Sequence, residues 1–402
     1  MRIAIIGSGV SGLGAAHLLS RAHEVEVFER NLRPGGHTRT IRRDGVALDT
    51  GFLVHNDRNY PLLTRLLEEL GVRTQESEMS FSVSCGCGLE YSGRRPFAQP
   101  RRLGDARFHG LLWEIARWLR TARRSLDELD CENWSLERYL DEQRFSGRFR
   151  RHFIVPLTSA LWSTAPGRAL EYPAAAAIRF FENHGMLGFG RFRWRYVTSG
   201  SDTYVRELAT RLGDKLRLGL GVRSIRRGPD SVELTADDGE LRRFDAVVVA
   251  THADQALRLL EDPTAEEHDI LRNFEYTQNE AILHTDSALL PRTRAARASW
   301  NYRLGADKRP TITYYLNRLQ RLDADVDYCL TLNEQVAEEH VLDRGMFEHP
   351  LYTVESAAAQ RQLPSLSGTR RTYFAGAYHG NGFHEDGLAS GVRAAAALGV
   401  SW

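Results

Sequence analysis

Arg2-Ile3-Ala4-Ile5-Ile6-Gly7-Ser8-Gly9-Val10-Ser11-Gly12-Leu13-Gly14 is the stretch on which the fold turns. Ile3 to Ile6 form an unbroken apolar run, the pattern of a parallel strand buried on both faces. Gly7, Gly9 and Gly12 then stand in the spacing G-x-G-x-x-G, and a helix is predicted from about Ser11 to Arg21. A second strand is predicted over Glu24–Glu29, with Val25, Val27 and Phe28 apolar. Strand, glycine turn, helix and strand complete a βαβ unit in about thirty residues. The first glycine permits the turn, the second lets backbone approach a diphosphate, and the third lets the helix lie close to the strand. The helix start offers free N–H groups to the phosphates. Glu29 ends the second strand, where a carboxylate accepts hydrogen bonds from ribose hydroxyls and repels a 2′-phosphate. The stretch therefore reads as a dinucleotide site that disfavours NADP.

Outward from this unit, Tyr60 to Leu70 reads as a short amphipathic helix closed by Gly71. Arg101 to about Gly190 is mainly helical and rich in arginine and tryptophan. Lys215 to Val249 returns to strands, with a turn at Asp237-Asp238-Gly239. Ala281–His284, Thr311–Leu316 and Tyr328–Leu332 read as strands of a substrate-side sheet. Tyr373-Phe374-Ala375-Gly376-Ala377 is a last strand and glycine turn. Asp386-Gly387-Leu388-Ala389-Ser390-Gly391 then opens an alanine-rich helix. A second helix start brought to the first site can face a ribityl chain or pyrimidine carbonyls. A simple NAD dehydrogenase has no need of it, so the cofactor predicted is FAD.

Composition sets the bounds. The 402 residues carry a formal net charge of +1, which gives no ground for a nucleic-acid partner. Lys215 and Lys308 are the only lysines. The four cysteines are too few for a disulfide scaffold. No second Cys/His pair with ligand spacing follows Cys85-x-Cys87, so no metal is expected. No run reaches the roughly 18 apolar residues of a membrane span. A cytoplasmic protein, at most peripheral at a membrane, is expected.

The motifs together resemble the FAD-dependent amine oxidase and phytoene desaturase superfamily. More narrowly they are similar to the predicted NAD/FAD-binding oxidoreductases associated with cyclopropane fatty acid synthases. The likeness is carried by Gly7–Leu13, Gly35-Gly36-His37-Thr38, Asp49-Thr50-Gly51-Phe52 with Asn56 and Tyr60-Pro61, Trp300-Asn301-Tyr302, Thr313–Gln320, His349-Pro350 and Gly382–Leu388. It implies an α/β fold: a Rossmann-like FAD-binding domain of the two-dinucleotide-binding type, interleaved with a substrate domain of mixed sheet plus helical lobe. The segments expected are 1–85, 196–255 and 356–402 for FAD, 86–195 for the helical lobe and 256–355 for the sheet.

The resemblance also implies site residues. Gly7, Gly9, Val10, Ser11 and Gly12, with Glu29 and Arg30, would hold the ADP half. Gly36, His37 and Thr38 would line the diphosphate and ribityl side. Gly51 and Phe52 would approach the flavin ring, and Val222 the adenine. Gly376, Asp386, Gly387 and Leu388 would close over the ribityl chain. His384 and Glu385, then His55 and His379, are candidate proton-transfer groups, because they lie in motifs expected near the flavin. Trp300 and Tyr315 are candidates for the substrate wall. Two departures stand out. Ser199-Gly200-Ser201 replaces the usual Gly-Gly-Ser, and the lysine many amine oxidases keep near the flavin has no convincing counterpart.

With one dinucleotide fingerprint, a flavin reoxidised by oxygen or another acceptor, or no net redox change, is expected. The resemblance, with the missing lysine and the apolar helical lobe, implies hydride transfer from the alkyl chain of a lipid or fatty acid derivative to FAD, as a desaturase or oxidase. The alternatives are a double-bond isomerase, an amine oxidase and a non-catalytic flavoprotein partner. The partner expected is an apolar small molecule or lipid; oligomeric state has no signal. Phe108, Leu112, Ile115, Leu119, Ala122 and Leu126 fall on one helical face, beside Trp113, Arg117, Arg120 and Arg124. That face either rests on anionic lipid or packs on the core with its arginines solvated.

Overall fold

The computed structural model describes residues 1–128, 131–162, 167–187, 192–305 and 310–402. Lys308 and residues 188–191, at the end of the predicted helical lobe, lie outside them.

The opening unit forms as its sequence dictates. β1 (Arg2–Ile6) is buried from Ile3 onward, α1 spans Val10–Leu19, and β2 spans Glu24–Glu29. β1 sits in the middle of a five-stranded sheet, between β2 and the strand Ala246–Val249. Leu216–Leu218 and Thr372–Phe374 complete its two edges, and every pairing is parallel. A three-stranded antiparallel sheet, Val222–Arg227, Val232–Ala236 and Leu241–Phe244, stands beside it.

The closing helix, His384–Ala397, lies against α1. Small residues permit the approach. A Cβ on Gly391 would stand 2.2 Å from the Ser11 carbonyl oxygen, and one on Gly14 would stand 2.4 Å from Leu388. The two helix starts are thereby drawn to one place, at the carboxyl ends of the parallel strands, where open α/β sheets bind ligands.

The second sheet has seven strands, in the order Val341–Leu351, Glu275–His284, Cys329–Leu332, Thr311–Tyr315, Trp300–Leu304, Phe81–Cys85 and Glu90–Ser92. Its pairings are antiparallel except that of Trp300–Leu304 with Phe81–Cys85. The three expected strands are present, and Val341–Leu351 is an addition. It reads poorly as a strand because Asp343, Arg344, Gly345, Glu348 and Pro350 interrupt its apolar residues. It is an edge strand, where a proline is tolerated.

In the helical lobe, α3 (Ala106–Glu128) buries Phe108, Leu111, Trp118, Ala122 and Ser125. The buried stripe is thus centred on Trp118 rather than on Ile115 and Leu119, which are only partly covered. The Trp118 ring meets Tyr139, Phe145, Phe149 and Phe181 at centroid distances of 5.6 to 6.2 Å. This apolar face packs on the core. Among the described residues, no helix is long and apolar enough to cross a membrane.

Candidate functional site

The two helix starts, the end of β2 and the edge of the second sheet enclose a cavity of about 1000 Å³. That is the upper end of the range of ligand pockets, as a dinucleotide-sized molecule requires. Gly7, Gly9, Val10, Ser11, Glu29, Arg30, Gly36, His37, Val222, Gly376 and His384 all line it. The sequence reading nominated every one of them.

The glycines divide by task. Gly7 has φ +100°, and a Cβ there would stand 2.7 Å from the Ala250 carbonyl oxygen. A Cβ on Gly12 would stand 1.9 Å from the Gly7 carbonyl oxygen, so this glycine serves helix–strand packing. Gly9 differs: a Cβ there meets no atom within 4 Å. Its space is open to the cavity, and no side chain caps the helix it begins. That is the cradle a diphosphate needs: unshielded backbone at a helix start.

Glu29 is buried at the end of β2. One carboxylate oxygen accepts from the Ser8 backbone N–H at 3.0 Å and the Ser8 hydroxyl at 2.6 Å. The other accepts from the Asn31 backbone and side-chain N–H groups, both at 2.9 Å. The carboxylate is thus held rigidly at the cavity wall, and Arg30 follows it.

Around the opposite helix start, His384 is half-buried and stacked on Phe52, with centroids 3.9 Å apart and planes 12° apart. Its Nε2 lies 2.9 Å from both the Thr38 hydroxyl and the Tyr204 hydroxyl. Burial, with His37 and His55 nearby, holds its pKa down to about 3, so the ring is neutral near pH 7. Gly51 lies where a Cβ would stand 1.8 Å from the His37 carbonyl oxygen. A Cβ on Gly387 would stand 2.8 Å from Val10 Cγ1 and 3.0 Å from Ser11 Oγ. The Asp386 carboxylate accepts from the Phe383 N–H at 3.0 Å, and burial raises its pKa to about 6. Leu388 is fully buried in the core beside α1.

The other candidates are placed as follows. Both Glu385 oxygens accept backbone N–H groups, from Leu62 at 2.8 Å and Leu63 at 2.9 Å. They cap α2 (Pro61–Glu69), whose own N-cap residue supplies no side-chain bond. His55 is buried, with Nδ1 unpartnered and its pKa lowered by burial to about 4. His379 is half-buried, with a shielded, unpartnered Nε2 and its pKa lowered by burial to about 3. Trp300 packs edge-on against Tyr314, and the Tyr315 hydroxyl donates to Asp327 at 2.5 Å. Glu385, His55, His379, Trp300 and Tyr315 do not line the cavity.

The sequence reading missed much of the wall opposite the glycines. Tyr276, Phe347, Glu348, His349 and His252 line it, and His37 faces His349 and His252 at centroid distances of 5.5 and 5.9 Å. His37 Nε2 donates to the Glu348 carbonyl at 2.9 Å, which leaves Nδ1 as its acceptor. His252 stacks on Tyr276 at 4.3 Å and donates through Nδ1 to Glu348 at 3.1 Å. Burial lowers the pKa of His37 to about 4 and of His349 to about 3. His37 and His252 each keep one unprotonated ring nitrogen, whereas His349 Nδ1 is taken by the Asn279 side-chain amide, which donates to it at 2.9 Å. The only trace of them in the sequence was His349-Pro350.

Comparison with known proteins follows the same lines. A family model described as flavin containing amine oxidoreductase matches residues 10–399. A 4,4'-diapophytoene desaturase (4,4'-diaponeurosporene-forming) of Staphylococcus aureus is 46% identical over 52 residues, 13% of this chain and 10% of that protein. AofH of Mycobacterium tuberculosis, whose name is that of a flavin-containing monoamine oxidase, is 26% identical over 289 residues, 67% of this chain and 61% of that protein. The matched stretches thus span less than two thirds of these relatives. Among solved structures, a putrescine oxidase bound to putrescine superposes with a TM-score of 0.69 at 17% identity, covering 99% of each chain. A CLA-producing fatty acid isomerase from P. acnes gives 0.69 at 15% identity, covering 97% of this chain and 96% of that one. At such identities these two speak for the fold alone.

Proposed function

Because the chain belongs to the family of flavin containing amine oxidoreductases, we propose that it is an FAD-dependent oxidoreductase that desaturates or oxidises the alkyl chain of a lipid or fatty acid derivative. The observation that carries this reading is one cavity of about 1000 Å³ walled by glycine turns and two helix starts on one side and by the second sheet on the other. FAD, when bound, supplies the acceptor for a hydride.

The chain's own residues do the rest. The first-turn N–H groups of α1, beside Gly9, would receive the diphosphate. Glu29 would accept from a ribose hydroxyl in place of one of its present donors. Val222 and Arg30 would flank the adenine end, and Gly36, His37 and Gly376 would border the ribityl path. Tyr276, Phe347 and Pro350 offer the substrate an apolar wall that excludes water. His384, His37 and His252 are neutral and at the cavity, so they are the groups placed to take a substrate proton. Glu385 holds α2 and is a positioning residue. An apolar substrate is in keeping with the exposed Trp113, a residue type suited to a bilayer surface.

A second reading, amine oxidation, is favoured by the likeness to AofH. Lys215 is exposed and is not among the residues that line the cavity, so neither reading draws on it. Anaerobic titration of the purified yellow protein separates the readings. Phospholipids should bleach the visible flavin band, and the product should be lighter by two hydrogens. Bleaching by amines alone would replace lipid with amine. Rearranged lipid of unchanged mass, with no peroxide, would make the protein an isomerase.

A further inference from the structure

Spacing along the chain gives Cys85-x-Cys87 no partner, but folding does. Cys85 ends the strand Phe81–Cys85, and Cys87 lies in the turn that leads to Glu90–Ser92. His152 arrives from the helical lobe, in the wide helical turn Arg150–Ile154. One ligand atom from each, both sulfurs and a ring nitrogen, lie within 4.8 Å of one another. Cys87 Sγ and His152 Nε2 are 3.7 Å apart. In a tetrahedral site, Zn–S of about 2.3 Å and Zn–N of about 2.0 Å place sulfur and nitrogen about 3.5 Å apart.

The imidazole is set in the tautomer a metal needs. His152 Nδ1 lies 3.1 Å from the Arg148 carbonyl oxygen. A carbonyl only accepts, so Nδ1 carries the proton and Nε2 turns its lone pair toward the sulfurs. The rest of the frame is equally fixed. Cys85 N–H donates to the Leu89 carbonyl and Gly88 N–H to the Cys85 carbonyl, both at 2.8 Å. The guanidinium groups of Arg101 and Arg102 donate to the Gly88 carbonyl at 2.9 and 2.7 Å. The Tyr91 hydroxyl donates to the His152 carbonyl at 2.7 Å, which ties the hairpin to the helical turn. None of the three ligands lines the large cavity.

We propose that Cys85, Cys87 and His152 form a site for one divalent cation of the zinc class, with the fourth position open to solvent beside the exposed Cys87. Two thiolates and an imidazole suit a borderline-soft ion rather than magnesium or calcium. As the two metal–sulfur bonds form, the thiols release two protons to solvent, and two thiolates balance the ion's charge. The ion would fasten the sheet to the helical lobe.

The test uses the full chain with its flavin, reduced, stripped with chelator and dialysed against zinc chloride. One zinc per chain is expected, with two sulfur and at least one nitrogen ligand in its X-ray absorption spectrum. Zinc should raise the thermal midpoint of the wild type and leave that of Cys87→Ser unmoved. Cys87→Ser and His152→Gln should each weaken zinc binding by about 100-fold or more, with unchanged far-ultraviolet circular dichroism. A reduced wild type that retains no zinc overturns the proposal, and so does a zinc spectrum without sulfur. Variants that bind zinc as tightly as the wild type also overturn it. So does a Cys85–Cys87 disulfide that stays closed under thiol reductant.

Discussion

Glu385 and His384 are neighbours in sequence with opposite surroundings. Glu385 has both oxygens committed to the first N–H groups of α2, while His384 stands at the cavity on the Phe52 ring. Replacing Glu385 by Gln removes one charged acceptor from a helix start, which costs about 1–2 kcal/mol. The urea midpoint should fall, while the rate at which a lipid substrate bleaches the bound flavin stays within about twofold. His384→Ala should do the reverse, slowing bleaching with flavin still bound. A Glu385→Gln protein that is stable and slow would make Glu385 a proton-transfer group. Both residues could be picked from the sequence, because Gly382–Leu388 is a motif. What each one touches could not, because Leu62 and Leu63 lie more than three hundred positions away. Ser199 is similar: it appeared only as a departure from glycine. The structure shows that it takes the left-handed conformation, at φ +66°, that glycine adopts at lower cost.

Two helix starts make the site, and their glycines can be told apart by experiment. Gly9 has φ −66°, and a Cβ there meets nothing. Gly9→Ala should therefore leave the stability of the flavin-free chain unchanged and weaken flavin binding by about tenfold or more, since the methyl group takes space the diphosphate needs. Gly387→Val should do both kinds of damage. Its side chain would meet Val10 and Ser11, wedging the closing helix from α1 at a cost of about 1–3 kcal/mol. Flavin content and urea midpoints measure the two effects, and equal stability loss in both variants would refute the division. At this scale the sequence was most legible where one rule governed a whole element. The unbroken apolar run of β1 and the glycine spacing beyond it could be read in only one way. Val341–Leu351 could not, because cavity-lining residues displace the alternation that marks a strand. The Cys85–Cys87–His152 group was illegible for another reason: its third member is supplied by packing between lobes.

Across the whole molecule, burial of imidazole sets the response to acid. His37, His55, His184 and His284 are held down to about 4, and His349, His379 and His384 to about 3, in every case chiefly by burial. In the unfolded chain each returns to about 6.5. A base whose pKa is lowered by folding stabilises the fold above its unfolded value, and that contribution is lost as pH falls below 6.5. Burial acts oppositely on two carboxyls, raising Asp49 to about 7 and Asp386 to about 6. Their contribution is present at low pH and is lost as pH rises from about 3.8 through those values. Between pH 4 and 6, unfolding takes up protons at seven histidines and releases them at two aspartates, so stability must rise with pH. Each histidine alone is worth about 1.4 kcal/mol per pH unit while its folded and unfolded forms differ in charge. The urea midpoint should therefore be clearly lower at pH 5 than at pH 7. A midpoint that is level or higher at pH 5 would mean that these imidazoles are charged in the folded chain. The neutral histidines assigned to the cavity wall could then not serve as proton acceptors.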